Sequence, residues 1–235
     1  MLPDSFPPWK TVYGYFWVWT GDGVWQRINA ALVQRVRKQH GRRECPSAAV
    51  IDSQSVKTSE GGEQRGVDVY KQTSGRKRHI VVDTLGLILI VLVHSAGVAE
   101  GTGGKWVLQQ LFERVKGVSY NRHCRLTKIW ADGGYEDIVE WVKLMLGWTL
   151  EIVRRPPGVK GWIVLPRRWV VERTFGWLGR YLSTCARNCH TRQVVERTFG
   201  WLGRYRRLSR DFEHTVQSSQ AIVYIASIRR MLKLI

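Results

Sequence analysis

Acidic residues are the scarcest charge in this chain, and their shortage sets the first expectation about its partners. The 235 residues hold 19 Asp and Glu against 37 Lys and Arg, a formal charge of +18. Such an excess favours a polyanionic partner, with nucleic acid as the default and a generic basic surface that aids solubility as the plain alternative. Cysteine is also sparse. Cys45, Cys124, Cys185 and Cys189 show no paired spacing, which excludes a disulfide-stapled scaffold. Cys185, Cys189 and His190 lack the second ligand pair that a structural zinc site needs. Long apolar runs are missing too. The longest, Leu85 to Val93, spans nine residues, about half of what crosses a bilayer, so no membrane helix is expected. The opening MLPDSFPPWK has Asp4 and three prolines where a signal peptide carries basic and then apolar residues, which predicts a cytoplasmic protein.

What is present suffices for a core, since 44% of the residues are hydrophobic. Residues 1–45 read as a helical N-terminal segment. Trp9, Tyr13, Phe16 and Trp17 form an aromatic stripe that needs a packing partner, and Ile28, Leu32, Val33 and Val36 form a second stripe that Gly41 ends. From Pro46 the pattern turns to short β-branched runs. AAVID (48–52), RHIVVDT (78–84), LILIVLV (87–93), TKIWA (127–131) and LEIV (150–153) read as strands, the second and third forming a hairpin around Gly86. Helical spacing covers Lys105 to Val115 and Tyr135 to Leu146. Residues 54–76 are Gly-rich, polar and aperiodic, and are expected to form one long loop. Strands first, then strands alternating with helices, give an α/β fold with a mixed sheet over residues 46–235.

The string VVERTFGWLGRY occurs at Val170–Tyr181 and again at Val194–Tyr205. Two copies are too few for a solenoid, so the segment 170–205 is read as a local duplication.

The chemistry rests on carboxylates. Asp52 ends one predicted strand and Asp132 follows another, so a rigid sheet would hold both at an open edge, although strand-end aspartates also serve simply as caps. Gly133 and Gly134 let a substrate approach. Glu172 opens a helix whose apolar side is Val171, Phe175, Leu178 and Leu182, with Arg168 and Arg173 near it to receive a phosphate. Phosphodiester chemistry uses this combination. Two oxygen-bound magnesium or manganese ions about 3.5–4 Å apart activate the attacking hydroxyl and stabilise the leaving oxygen.

Four strings, IDSQSVKT (51–58), GRKRHIVVDTLGL (75–87), IWADGGY (129–135) and LPRRWVVERTFGWLGRY (165–181), resemble the successive motifs of DDE transposases of the fifth-numbered group of bacterial insertion sequences. With RRLSRDFE (206–213) and the C-terminal tail, the likeness runs from about Phe6 to the end. It implies a ribonuclease H-like mixed sheet flanked by helices, a catalytic and metal-binding triad at Asp52, Asp132 and Glu172, DNA ends and target as substrates, and a homodimer on DNA.

The sequence departs from that family's pattern in three places. About fifty N-terminal residues that usually read the element's ends are missing, so residues 1–45 are expected to be a truncated remnant. In the loop HSAGVAEGTGG (94–104), Glu100 stands in place of an aspartate and Thr102 in place of a second acidic residue. The duplication offers Glu196 as an alternative third carboxylate. Glu172 keeps the upstream context LPRRW and is preferred, while Glu196 keeps the downstream context.

Lys57, Arg76, Lys77, Arg78, Arg167, Arg168, Arg173 and Arg180 are the expected DNA-phosphate contacts. Asp83 reads as a hairpin-turn residue rather than a catalytic one, and GTGGK (101–105) lacks the residues of a nucleotide-phosphate loop. The expected activity is metal-dependent DNA cleavage and strand transfer. The alternatives are an inactive DNA-binding relic of a decayed element and a nuclease without strand transfer.

Overall fold

The computed structural model describes residues 7–59, 61–116, 125–153 and 206–235. Two helices come first, α1 (Trp9–Gly21) and α2 (Val24–Gln39). Strands β1 (Ala48–Lys57), β2 (Gly66–Asp68), β3 (Thr73–Asp83) and β4 (Ile88–Ser95) follow, then α3 (Glu100–Lys116) and β5 (Lys128–Ala131). A short 3₁₀ turn (Gly133–Ile138) runs through α4 (Val139–Trp141) into a π turn (Val142–Leu146). After these come β6 (Thr149–Ile152), α5 (Arg206–Ser209) and α6 (Val216–Leu232).

The sheet is mixed. β1 pairs antiparallel with β3, and β3 pairs antiparallel with β4 and β2; on its other edge β1 pairs parallel with β5, and β5 with β6. Side-chain alternation divides the core between two faces. Ala49, Ile51, Val81, Ile90, Leu92 and Ile129 pack with Val107, Leu108 and Leu111 of α3 and with Tyr135, Ile138 and Val142. Val50, Ile80, Val82, Ile88, Val91 and Val93 point the other way, onto Val223, Tyr224 and Ala226 of α6. Val33 and Val36 of α2 extend that second layer with Leu87 and Met231. This is the helix-flanked α/β fold expected from the ribonuclease H-like motifs.

Several local expectations change. Residues 54–76 are not one loop: β1 continues to Lys57 and β3 begins at Thr73, because the two pair from Ala49↔Asp83 to Lys57↔Gly75. Backbone pairing on both edges of β3 supplies order that side-chain periodicity does not signal. α3 begins five residues before the apolar spacing starts, since Gly103 and Gly104 let the helix pack tightly on His79, His94 and Tyr135. The aromatic stripe of α1 is not buried. Trp9, Tyr13 and Trp17 are more than half exposed, and the ring contacts of this segment gather around Trp25, with Phe16 at 6.4 Å and Trp19 at 5.2 Å. α2, by contrast, is integral: Arg37 makes a buried ion pair with Asp83, and Asn29 Nδ2 donates to Ile88 O at 2.8 Å. Asp83 is the hairpin residue expected, accepting from Leu85 N and Leu87 N at 2.9 and 2.8 Å. Among the described residues no helix is long and apolar enough to cross a membrane.

Candidate active site

β1 and β5 run parallel in the register Ala48↔Lys128, Ala49↔Ile129, Val50↔Trp130. Asp52 lies two residues past the last of these pairs, within β1, and Asp132 two residues past it, just after the end of β5. Neighbouring strands lie about 4.8 Å apart, so both aspartates stand where β5 leaves the side of the continuing β1. At Asp132 the chain leaves the sheet, and Oδ1 accepts from Gly134 N at 3.0 Å, capping the 3₁₀ turn. Asp52 Oδ1 accepts from Ser53 N at 2.6 Å. Both aspartates line one pocket with Val50, Ile51, Trp130, Ala131 and Val153. Among the described residues its ionisable lining is carboxylate, without sulfur or imidazole. That hard-oxygen donor set fits magnesium or manganese better than zinc. Among the described residues no three His, Cys, Asp or Glu side chains stand close enough to hold an ion alone.

Glu172 and its alternative Glu196 lie outside the described residues, as do Arg167, Arg168, Arg173 and Arg180. Cys124, Cys185, Cys189 and His190 also fall there.

A third carboxylate that the sequence reading left aside does approach the pair. Glu100 Oε1 accepts from Ser53 Oγ and from Lys71 Nζ, each at 2.8 Å. Its other oxygen faces Gly134: a Cβ added at Gly134 would collide with Glu100 Oε2 and stand 3.1 Å from Asp132 Oδ1. Burial works to raise the Glu100 carboxyl, yet the bonds from Lys71 and Ser53 and the Lys71 charge outweigh it and hold the group below the usual range. Burial likewise works against the Lys71 charge, but the Glu100 bond and the charges of Glu100, Asp52 and Asp68 keep its ammonium above the ordinary lysine value. The signal was the acidic residue at position 100 in an otherwise altered loop. Its place became legible only once α3 was seen to start there.

Beneath the carboxylates sits a buried polar stack. Tyr135 Oη lies 3.0 Å from His79 Nδ1, and the His79 and His94 rings stack at 4.9 Å. Burial, reinforced by the negative charges of Asp52, Glu100 and Asp132, pushes the Tyr135 phenol well above its usual value, so it remains a neutral hydrogen-bonding group.

The basic cluster at 76–78 needs correcting as a DNA surface. Arg76, Lys77 and Arg78 are buried, at most 4% exposed. Arg76 donates to Glu63 O, Glu213 O and His214 O and pairs with Asp211 at 3.4 Å; Arg78 donates to Leu208 O and pairs with the same carboxylate at 3.6 Å. Lys77 Nζ donates to Val98 O at 3.0 Å and lies 3.4 Å from Asp68. Their alternation along β3 turns them inward, and the C-terminal segment RRLSRDFE closes over the two arginines. Lys57 remains exposed at the end of β1.

No curated protein matches the chain. Residues 43–193 match the family described as transposase DDE domain, a span containing Asp52, Asp132 and Glu172. A match over well more than half of the sequence, on a mixed sheet whose adjacent parallel strands bring Asp52 and Asp132 to one pocket, establishes that the chain belongs to the transposase DDE domain family.

Proposed function

We propose that the chain acts as a DNA transposase of the fifth-numbered group of bacterial insertion sequences, with Asp52, Asp132 and Glu172 as its catalytic carboxylates. The observation supporting this most strongly is that Asp52, within β1, and Asp132, where the adjacent parallel strand β5 ends, line one pocket. Strand ends of an α/β sheet are where ligands enter, and backbone pairing fixes both carboxylates before any substrate arrives. Asp52 and Asp132, joined by Glu172, would hold two magnesium or manganese ions. When bound, such ions supply an activated hydroxyl and stabilise the oxygen that leaves phosphorus. The chain's own part is to hold these carboxylates aligned: the Asp52 and Asp132 oxygens are steered by Ser53 N and Gly134 N. The +18 charge favours a DNA partner, with Lys57, Arg167, Arg168, Arg173 and Arg180 as candidate phosphate contacts and a homodimer as the working assembly.

Asp132→Asn keeps the cap acceptor and removes the charge. It is expected to lower magnesium-dependent nicking of a duplex carrying the element's ends by about 10³-fold or more, without lowering the melting temperature. Nicking that survives this substitution would overturn the assignment. Joined products in the same assay separate a transposase from a plain nuclease.

The duplicated VVERTFGWLGRY favours a second reading, an inactive DNA-binding relic. Salt-sensitive DNA binding with no cleavage under any divalent ion would decide for it.

A further inference from the structure

Resting on that reading of Asp52 and Asp132, we propose that Glu100 is a further acidic residue of the cation site. It would reach a hydrated divalent ion at Asp132 through the ion's water, with Lys71 as the tethered cation that balances this acidic corner until the ion binds. Three observations lead there. Glu100 divides its carboxylate: Oε1 is held by Ser53 Oγ and Lys71 Nζ, while Oε2 is aimed across Gly134 toward Asp132 Oδ1. Both oxygens pack on Gly134: a Cβ placed there would stand 2.1 Å from Glu100 Oε2 and 3.1 Å from Asp132 Oδ1, which keeps the two oxygens within about 5 Å of each other. Lys71, at the turn leading into β3, places its ammonium 3.3 Å from Ser53 Oγ and 3.4 Å from Ser53 O, next in sequence to Asp52, and it feels the Asp52 charge.

A purely structural account has Glu100 as a favourable acid in the first turn of α3 that also makes a surface ion pair. It explains the Lys71 contact. It does not explain why the second oxygen faces the catalytic aspartate over a glycine. Magnesium keeps several of its waters when protein-bound, so an acid placed beyond direct reach still acts on it, and such outer partners typically change metal affinity 10–100-fold.

The two accounts predict different signs. Manganese binding to the full chain is measured by calorimetry without DNA, with circular dichroism melts checking that each variant folds. Glu100→Gln is expected to weaken binding about tenfold, and Lys71→Met to tighten it several-fold by removing a competing cation. Glu100→Asp should recover part of the loss. Affinity within about twofold of the parent for Glu100→Gln, or weakening by Lys71→Met to match it, overturns the proposal. Asp132→Asn separates the two failures: if it abolishes manganese binding while Glu100→Gln does not, only the role of Glu100 falls. If Asp132→Asn also leaves binding unchanged, the carboxylate site itself is wrong.

Discussion

A histidine buried without water resists protonation, and His79 and His94 are two such residues in contact. Burial is the main cause of the low pKa at each; at His79 the charges of His94, Lys77 and Lys71 add to it, and at His94 the bond to Ser95 O opposes it in part. Neither Nε2 finds a hydrogen-bond partner among the described residues, and both press on Gly103 of α3. Because the folded values lie below the ordinary 6.5, the unfolded chain binds more protons as the pH falls through that value. Stability is therefore full above it and is lost below it, by up to about 1.4 kcal/mol per pH unit for each histidine. Urea midpoints taken between about pH 5 and 7 should fall with this slope. His79→Gln should remove roughly half of it whatever its own cost in stability, and midpoints flat across that window would refute the account. The same stack holds Tyr135, three residues after Asp132, so the floor of the site depends on its neutrality.

At the scale of elements, the order of the C-terminal segment depends on one carboxylate. Asp211 is fully buried, pairs with Arg76 and Arg78, and accepts from Ser219 Oγ at 2.6 Å, while its backbone N donates to Lys57 O at 2.8 Å. It fastens the start of α6 to β1 and β3. Asp211→Ala removes the carboxylate with which both buried guanidinium groups pair and should cost about 3–5 kcal/mol, read as a lower denaturant midpoint. A loss below about 1 kcal/mol would mean that the backbone carbonyls alone satisfy the arginines. This pairing also shows what sequence could not disclose. The strands AAVID, RHIVVDT and LILIVLV were legible because β-branched residues alternate between two buried faces. GRKRH looked like a DNA surface because charge normally marks solvent, and two of the acceptors that overturn that reading, Leu208 O and Glu213 O, lie 130 and 137 residues away. Asp52 and Asp132 were legible because each directly follows a short apolar run, although β1 continues past Asp52 to Lys57. Glu100 was not, because glycines hid the first turn of its helix.

For the molecule as a whole, the open question is which copy of the repeated segment serves the aspartates. The described chain departs at Val153, whose N donates to Ala131 O at 2.9 Å and which lines the pocket of Asp52 and Asp132. It returns at Arg206 and is anchored by Asp211 beside Lys57 and Thr58, at the far end of β1. In sequence Glu172 follows Val153 by 19 residues and Glu196 precedes Arg206 by 10. At about 3.3 Å per extended residue, both spans are long enough to reach the aspartates. The match to the transposase DDE domain takes in Glu172 and stops before Glu196. The extent of that match favours the first copy. Glu172→Gln should therefore reduce nicking about as far as Asp132→Asn does, about 10³-fold, while Glu196→Gln should stay near the parent rate. Parent-level cleavage by Glu172→Gln together with its loss in Glu196→Gln would assign the site to the second copy and make β6 only the edge of the sheet.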